Sequence, residues 1–166
     1  MRLNFSEVRH NRLFTDFSER KPTKEETLGE FIVEGNAITK AYISHSPTKK
    51  IKVGDLLLFY CLSPCQIITS IGVVEAVYSN MQDSEQIFNL VAKRTVYPKN
   101  EIEEMEKPVL IILFRHHFHL KNYLSLKELK DKCILGGAPQ SISKISHENY
   151  MRIKELGSID GRYTIY

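Results

Sequence analysis

The sequence predicts an α+β fold, a small mixed β-barrel with short helices packed around it. Three observations point there. Apolar segments of strand length follow one another between residues 31 and 120, and one of them, Gln66 to Tyr78, is long and carries Gly72 at its middle. A glycine inside a strand marks a bend or a close backbone approach, and long bent strands in a small domain suggest a barrel. Short segments that open on helix-capping residues stand between and after the strands. The chain is also of one-domain size: 166 residues, 42% hydrophobic and 26% charged, which is enough to bury a core.

Residues 1–30 are polar and irregular and read as an N-terminal arm or linker remnant ahead of a barrel domain at 31–166. Phe5, Val8, Leu13, Phe14 and Phe17 give that arm something to bury. Phe31 to Glu34 is a short strand candidate, and Ala37 to Ser44 is a better one, ended by Pro47. Lys52-Val53-Gly54-Asp55 is a turn signal, followed by Leu56 to Cys61, a strand apolar on both faces. Leu62-Ser63-Pro64 breaks it before the long strand from Gln66. Asp83 with Gln86 opens a helix whose buried stripe is Ile87, Leu90 and Val91. Asn100 with Glu103 starts a second short helix, which Pro108 ends. Val109 to Leu120 is a long strand. Ser125 with Glu128 caps a third helix, with Leu126 and Leu129 facing inward. Gly136-Gly137-Ala138-Pro139 is a loop, and Ile142 to Ile145 is a last short strand. Ser146 caps a final helix bearing Tyr150 and Ile153, with Gly157 as its C-cap.

The net charge of +3 excludes neither an enzyme nor a nucleic-acid binder. Its distribution is uneven. Residues 1–50 carry nine Lys and Arg against seven Asp and Glu, residues 51–107 carry five against eight, and residues 108–166 carry nine against five. The basic ends form one patch if the fold brings them together, or an ordinary mixed surface if it does not. The longest near-apolar runs, Leu56 to Leu62 and Val109 to Phe114, are too short to span a bilayer. The N-terminus, Met-Arg-Leu-Asn-Phe-Ser-Glu, has no apolar region of a secretory signal. Three cysteines make a disulfide framework unexpected and a reducing cytoplasm the natural compartment.

The strand at 109–120 carries the most chemistry. Its odd positions run from apolar to Arg115, His117 and His119, while its even positions stay almost entirely apolar. A strand leaving the core does this, and so does a polar rim at a barrel mouth. His117 and His119 share a face, but zinc needs three or four ligands and nothing in the sequence brings Cys61 and Cys65 to them, so no metal is expected. The strand at 37–44 places Asn36, Lys40, Tyr42 and Ser44 on one face, a set suited to phosphate and sugar, or simply an exposed face. Three loops present polar groups. Ser63-Pro64-Cys65-Gln66 offers hydroxyl, thiol and amide, Lys93 to Tyr97 puts two cations beside a hydroxyl and an aromatic ring, and Gly136 to Ser141 offers backbone N–H groups. The last is neither a P-loop nor a dinucleotide fingerprint, and no cofactor is expected. Cys65 has no assignable base, and the glutamates of 101–106 read as a solvated helix face.

The ordered series Gly35-Asn36-Ala37-Ile38-Thr39-Lys40, then Lys52 to Tyr60, then Ile67 to Tyr78 and a helix resembles the PUA-like superfamily, in particular its EVE and ASCH branches. Lys93 to Tyr97, Pro108 to Arg115 and Gly137 to Ile142 are also similar to PUA-like modules attached to acetyltransferase-like domains. The resemblance implies a small barrel that binds nucleic acid without catalysis, RNA first and DNA as the alternative, with a modified or flipped base in a barrel-side pocket. EVE and related YTH modules commonly wall that pocket with Trp. This chain has none, so Tyr42, Phe59, Tyr60, Tyr97 or Phe118 would supply the stacking surface. On this reading Lys40, Tyr42, Tyr60, Arg94, Arg115 and His117 contact backbone or base, and Ser63, Gln66, Gln140 and Ser141 read polar edges. The resemblance leaves two other readings open. One is an ASCH-like hydrolase or ribonuclease with Lys40 as base, and the other a protein-interaction module accessory to a partner enzyme domain. The oligomeric state is not legible.

Overall fold

A computed structural model describes residues 2–5, 14, 38–91 and 94–159. Its elements in chain order are β1 (Arg2–Phe5), β2 (Thr39–Ser44), β3 (Leu56–Cys61), β4 (Ile67–Met81), α1 (Ser84–Val91), α2 (Lys99–Glu104), β5 (Val109–Ser125), α3 (Leu126–Asp131) and α4 (His147–Leu156). Five strands are hydrogen-bonded in the order β1-β3-β4-β5-β2. β1 runs parallel to β3, with Arg2 opposite Leu58, and β2 runs antiparallel to β5, with Thr39 opposite Arg115 and Ser44 opposite Leu110. The fold is therefore α+β with a mixed sheet, as the sequence predicts. Among the described residues the order has β1 and β2 as its ends and does not close into a barrel.

The chain divides into two compact units. The first comprises residues 1–7, 56–72 and 117–166, and the second residues 8–55 and 73–116. β4 and β5 each contribute to both.

The first unit is built on β3, which is apolar at every position and buried from Leu57 to Cys61. Leu58 and Tyr60 pack with Ile68 and Ile71 of β4, Leu120 and Leu124 of β5, Leu129 of α3 and Ile153 of α4. α3 opens on a capping box: the Ser125 hydroxyl accepts from the Glu128 N–H, and the Glu128 carboxylate accepts from the Ser125 N–H. The Leu126 N–H donates to the Gln66 carbonyl at 2.8 Å and ties the helix start to the turn before β4. At the end of α4, a Cβ on Gly157 would lie 3.0 Å from the Ile153 carbonyl oxygen and 3.2 Å from a Leu120 methyl, a tight fit that a larger residue meets only if these neighbours give way by a few tenths of an ångström.

The second unit packs α1 and α2 on β2 and the first half of β5. Ile87, Val91 and Ile102 meet Ala41, Ile43, Val109, Ile111 and Leu113. The 52–55 turn is closed by the Asp55 carboxylate, which accepts from the Lys52 N–H at 2.9 Å, and Gly54 takes the left-handed backbone (φ 89°) that the turn requires. α1 begins as its capping residues indicate, with the Gln86 N–H on the Asp83 carboxylate at 2.7 Å.

Three expectations shift. α2 starts at Lys99 behind Pro98 and not at Asn100, because proline lacks only an N–H that a first turn leaves unbonded anyway. The expected strand at 142–145 reduces to a bridge at Ser143. β4 and β5 run on to Met81 and Ser125, through polar residues that the alternation of apolar side chains does not register. The strand candidate at 31–34 lies outside the described residues. So does most of the arm, apart from β1 and Phe14, whose ring is buried.

Candidate functional site

In the second unit β2 and β5 present two faces with different chemistry. Ala41 and Ile43 share the helix-packed face with Val109, Ile111 and Leu113, and this face runs on to Thr39 and Arg115, which sit opposite each other. There Arg115 Nη2 lies 2.7 Å from Glu75 Oε1, and the Thr39 hydroxyl donates to Glu75 Oε2 at 2.7 Å. Arg115 keeps 58% of its side chain exposed, so its charge is paired yet open to a competing anion. An exposed pair of this kind holds by no more than about 1 kcal/mol.

Lys40 and Tyr42 lie on the other face of β2, beside Phe114 and Ile112 of β5. The sequence allowed an exposed polar face here. The structure instead buries both residues, Lys40 to 4% and Tyr42 to 8% exposure. Lys40 Nζ lies 5.9 Å from the centroid of the Phe14 ring, which is itself 4.8 Å from the His116 ring. The long lysine stem and the tyrosine ring carry enough apolar area to be covered, and the ammonium lies within cation–π range of an aromatic face. Arg94 is exposed, with Nη1 on the Leu90 carbonyl at 3.4 Å, beside buried Thr95 and Val96. Lys93 lies outside the described residues.

In the first unit Tyr60 is wholly buried in the core. Ser63 and Gln66 are exposed at the turn between β3 and β4, where Gln66 takes a left-handed backbone (φ 51°). His117 is exposed on β5, and Gln140 and Ser141 are exposed side by side in the loop after α3. A side chain added at Gly136 or Gly137 would meet nothing within 4 Å, so neither glycine is forced by a close approach. Of the stacking candidates, Phe59 joins Tyr60 at zero exposure, while Phe118 and Tyr97 are partly buried against the core of their own unit. The expected site residues thus form separate groups. Lys40 and Tyr42 share one face of β2, while Arg115 continues the other.

One constellation escaped the sequence reading. Thr69 and Ser70, both fully buried, form a chain with His119. The Thr69 hydroxyl donates to the Phe59 carbonyl at 3.4 Å, Ser70 Oγ lies 3.1 Å from Thr69 Oγ1, and His119 Nδ1 lies 2.8 Å from Ser70 Oγ. A carbonyl only accepts, so the single Thr69 proton is spent on it and Ser70 must give its own proton to Thr69. With those two hydroxyl protons committed, the 2.8 Å contact is closed by the tautomer that carries its hydrogen on His119 Nδ1 and donates to Ser70. In this arrangement the Ser70 proton points away from the ring, and the three side chains form a donor chain that ends on the Phe59 carbonyl. The signal for it was in the sequence: two hydroxyls inside an apolar strand must find partners when buried. Among the described residues no group of three or more His, Cys, Asp or Glu is placed to hold a metal ion. No helix there is long and apolar enough to cross a membrane.

The model of the EVE domain family matches residues 39–156. No curated protein matches the chain by sequence. Among solved structures, a serine-to-alanine variant of ASCH from Zymomonas mobilis superposes with a TM-score of 0.67 at 11% identity, over 93% of this chain and 94% of that one. The unsubstituted ASCH from the same organism gives 0.64 at 14% identity, with the same coverage. The human THYN1 protein, solved in complex with 5-methylcytosine-containing DNA, gives 0.50 at 13% identity, over 78% of this chain and 85% of that one. At such identities the likeness is one of fold.

Proposed function

We propose that this chain, which belongs to the EVE domain family, is a nucleic-acid-binding module. The family match carries the reading, because it spans 118 residues, from Thr39 on β2 to Leu156 at the end of α4. The THYN1 neighbour, solved on modified DNA, supports it. RNA is the preferred ligand, with DNA as the alternative, and the recognised feature is a modified or flipped base. The closed barrel is part of the same proposal, as is a reducing, cytoplasmic setting, which suits a chain whose three cysteines are all thiols.

Each unit brings its own contacts. In the second, Arg94 and Arg115 meet phosphate, while Lys40 and Tyr42 act only on a group that reaches the inner face of β2. In the first, His117 contacts the backbone, Ser63, Gln66, Gln140 and Ser141 read polar edges, and Tyr60 supports the turn from within.

The test is fluorescence anisotropy with short labelled RNA, single-stranded DNA and 5-methylcytosine-containing DNA at two salt concentrations. Saturable binding that weakens with salt is expected. Replacing Arg94 and Arg115 together by Ala should lower affinity and reduce the salt slope by about 1 for each lost phosphate contact. An unchanged affinity removes both residues from the interface.

The ASCH likeness favours a second reading, since it covers more of the chain at a higher TM-score than the THYN1 likeness. An ASCH-like hydrolase acting on RNA or a nucleoside derivative would use buried Lys40 as base or electrostatic catalyst. Time-dependent conversion of a short RNA, abolished in a folded Lys40→Met variant, identifies that activity. A broad substrate panel without turnover rejects it.

A further inference from the structure

The second unit carries a cleft of about 520 Å³ that none of the residues assigned above lines. Its walls are the segment after β2, the end of β4 and the connection from α2 into β5. The size is that of a small-molecule site.

The polar groups at its rim are unevenly committed. Lys107 Nζ donates to the carbonyls of Glu103 and Met105 at 2.9 and 3.0 Å, which fixes the ammonium at the C-terminal end of α2 and leaves one proton to give. His45 Nε2 lies 2.9 Å from the Glu106 carbonyl. A carbonyl only accepts, so Nε2 carries the hydrogen, and a neutral ring presents Nδ1 as an acceptor. Lys49 is exposed, and its ammonium makes no hydrogen bond or ion pair among the described residues. Ser79 and Asn80 add neutral donors from the end of β4. Asn80 holds a left-handed backbone there (φ 61°), a conformation that asparagine tolerates better than most residues.

Three chemistries therefore meet in one cleft. The Lys49 and Lys107 ammonium groups outweigh the Glu106 carboxylate, which selects an anion. Glu106 is a pure acceptor with two oxygens, matched to a pair of neighbouring hydroxyls. Pro47 and Pro108, both exposed, offer an apolar seat for a flat ring. The geometry points to a ribonucleotide site, with the phosphate at Lys49 and Lys107, the ribose diol at Glu106 and the base on the prolines. The site is independent of the nucleic-acid interface proposed above, and loss of either leaves the other standing.

The test is an NMR titration of the full chain with 5′-AMP, 2′-deoxy-5′-AMP and inorganic phosphate at low salt. 5′-AMP should shift resonances within 45–49, 79–80 and 106–110, saturating with a dissociation constant of about 0.1–1 mM. The deoxynucleotide should bind more weakly, and phosphate more weakly still. Lys49→Glu should weaken 5′-AMP about tenfold by reversing one charge at the rim. Glu106→Gln should remove the preference for ribose over deoxyribose, while its backbone carbonyl keeps His45 in place. Both side chains are exposed, and the same spectra report whether the fold is intact. Equal binding of phosphate and 5′-AMP, no saturation by about 10 mM, or shifts at Arg94 and Arg115 in place of the cleft would overturn the proposal.

Discussion

Ser70 and Tyr150 show opposite fates of a buried hydroxyl. Ser70 is held on both sides, by Thr69 and by His119. Replacing it with Ala strands the Nδ1 hydrogen of His119 and should cost about 1–3 kcal/mol in denaturant unfolding. Nitrogen NMR of the wild-type imidazole should show the proton on Nδ1, and a ring with Nδ1 bare would disprove the donor chain. The Tyr150 oxygen is shut off from water and has no hydrogen-bond partner among the described residues. Burial pushes its phenol up from the ordinary value of 10.0. Tyr150→Phe should therefore leave the melting temperature unchanged or raise it, and a loss above about 1 kcal/mol would reveal a partner for the hydroxyl. The sign of the pH effect follows. The unfolded chain releases this proton more readily than the folded one, so the phenol's stabilising contribution is complete below pH 10 and fades as pH rises further. The phenylalanine variant lacks that fall.

α3 was legible because its signal is local. Ser125 and Glu128 stand three residues apart, and the structure closes both bonds of the box. The Ser125 hydroxyl on the carboxylate at 2.6 Å, and then the Ser125 N–H at 2.9 Å, hold the Glu128 carboxyl below its ordinary 4.5. Its stabilising contribution is present above pH 4.5 and is lost as pH falls through the lower folded value. Ser125→Ala should cost about 1 kcal/mol. Glu128→Gln keeps a capping residue and should flatten the acid side of the stability profile, and an unaltered acid limb would locate that dependence elsewhere. β2 was less legible for the opposite reason. Its alternation gives two faces, but which face is covered depends on β5 and Phe14, far away in sequence. Lys40 and Tyr42 look like surface groups in a six-residue strand and become buried ones only in the assembled unit. The Ser70–His119 pair, 49 residues apart, is invisible to any local pattern, although the buried hydroxyls hint that partners exist.

For the whole molecule, charge is the property that reaches furthest. Glu75 occupies Arg115 in the free protein. Glu75→Gln raises the net charge by one and leaves Arg115 to a phosphate, so RNA affinity should rise a few-fold and its salt slope should steepen by about 1. If affinity falls, Arg115 does not touch the strand. Composition and strand order made the α+β class and the family resemblance readable. They could not show that the chain builds two cores, because each core is gathered from separate stretches. That division has a consequence for genetics. β4 changes unit after Gly72 and β5 after His116, and the first unit draws on both ends of the chain, so no single cut in the gene separates the two units. A recombination event that is to carry the first unit has to carry the entire span, the second unit included. The unit of inheritance is therefore larger than the unit of packing.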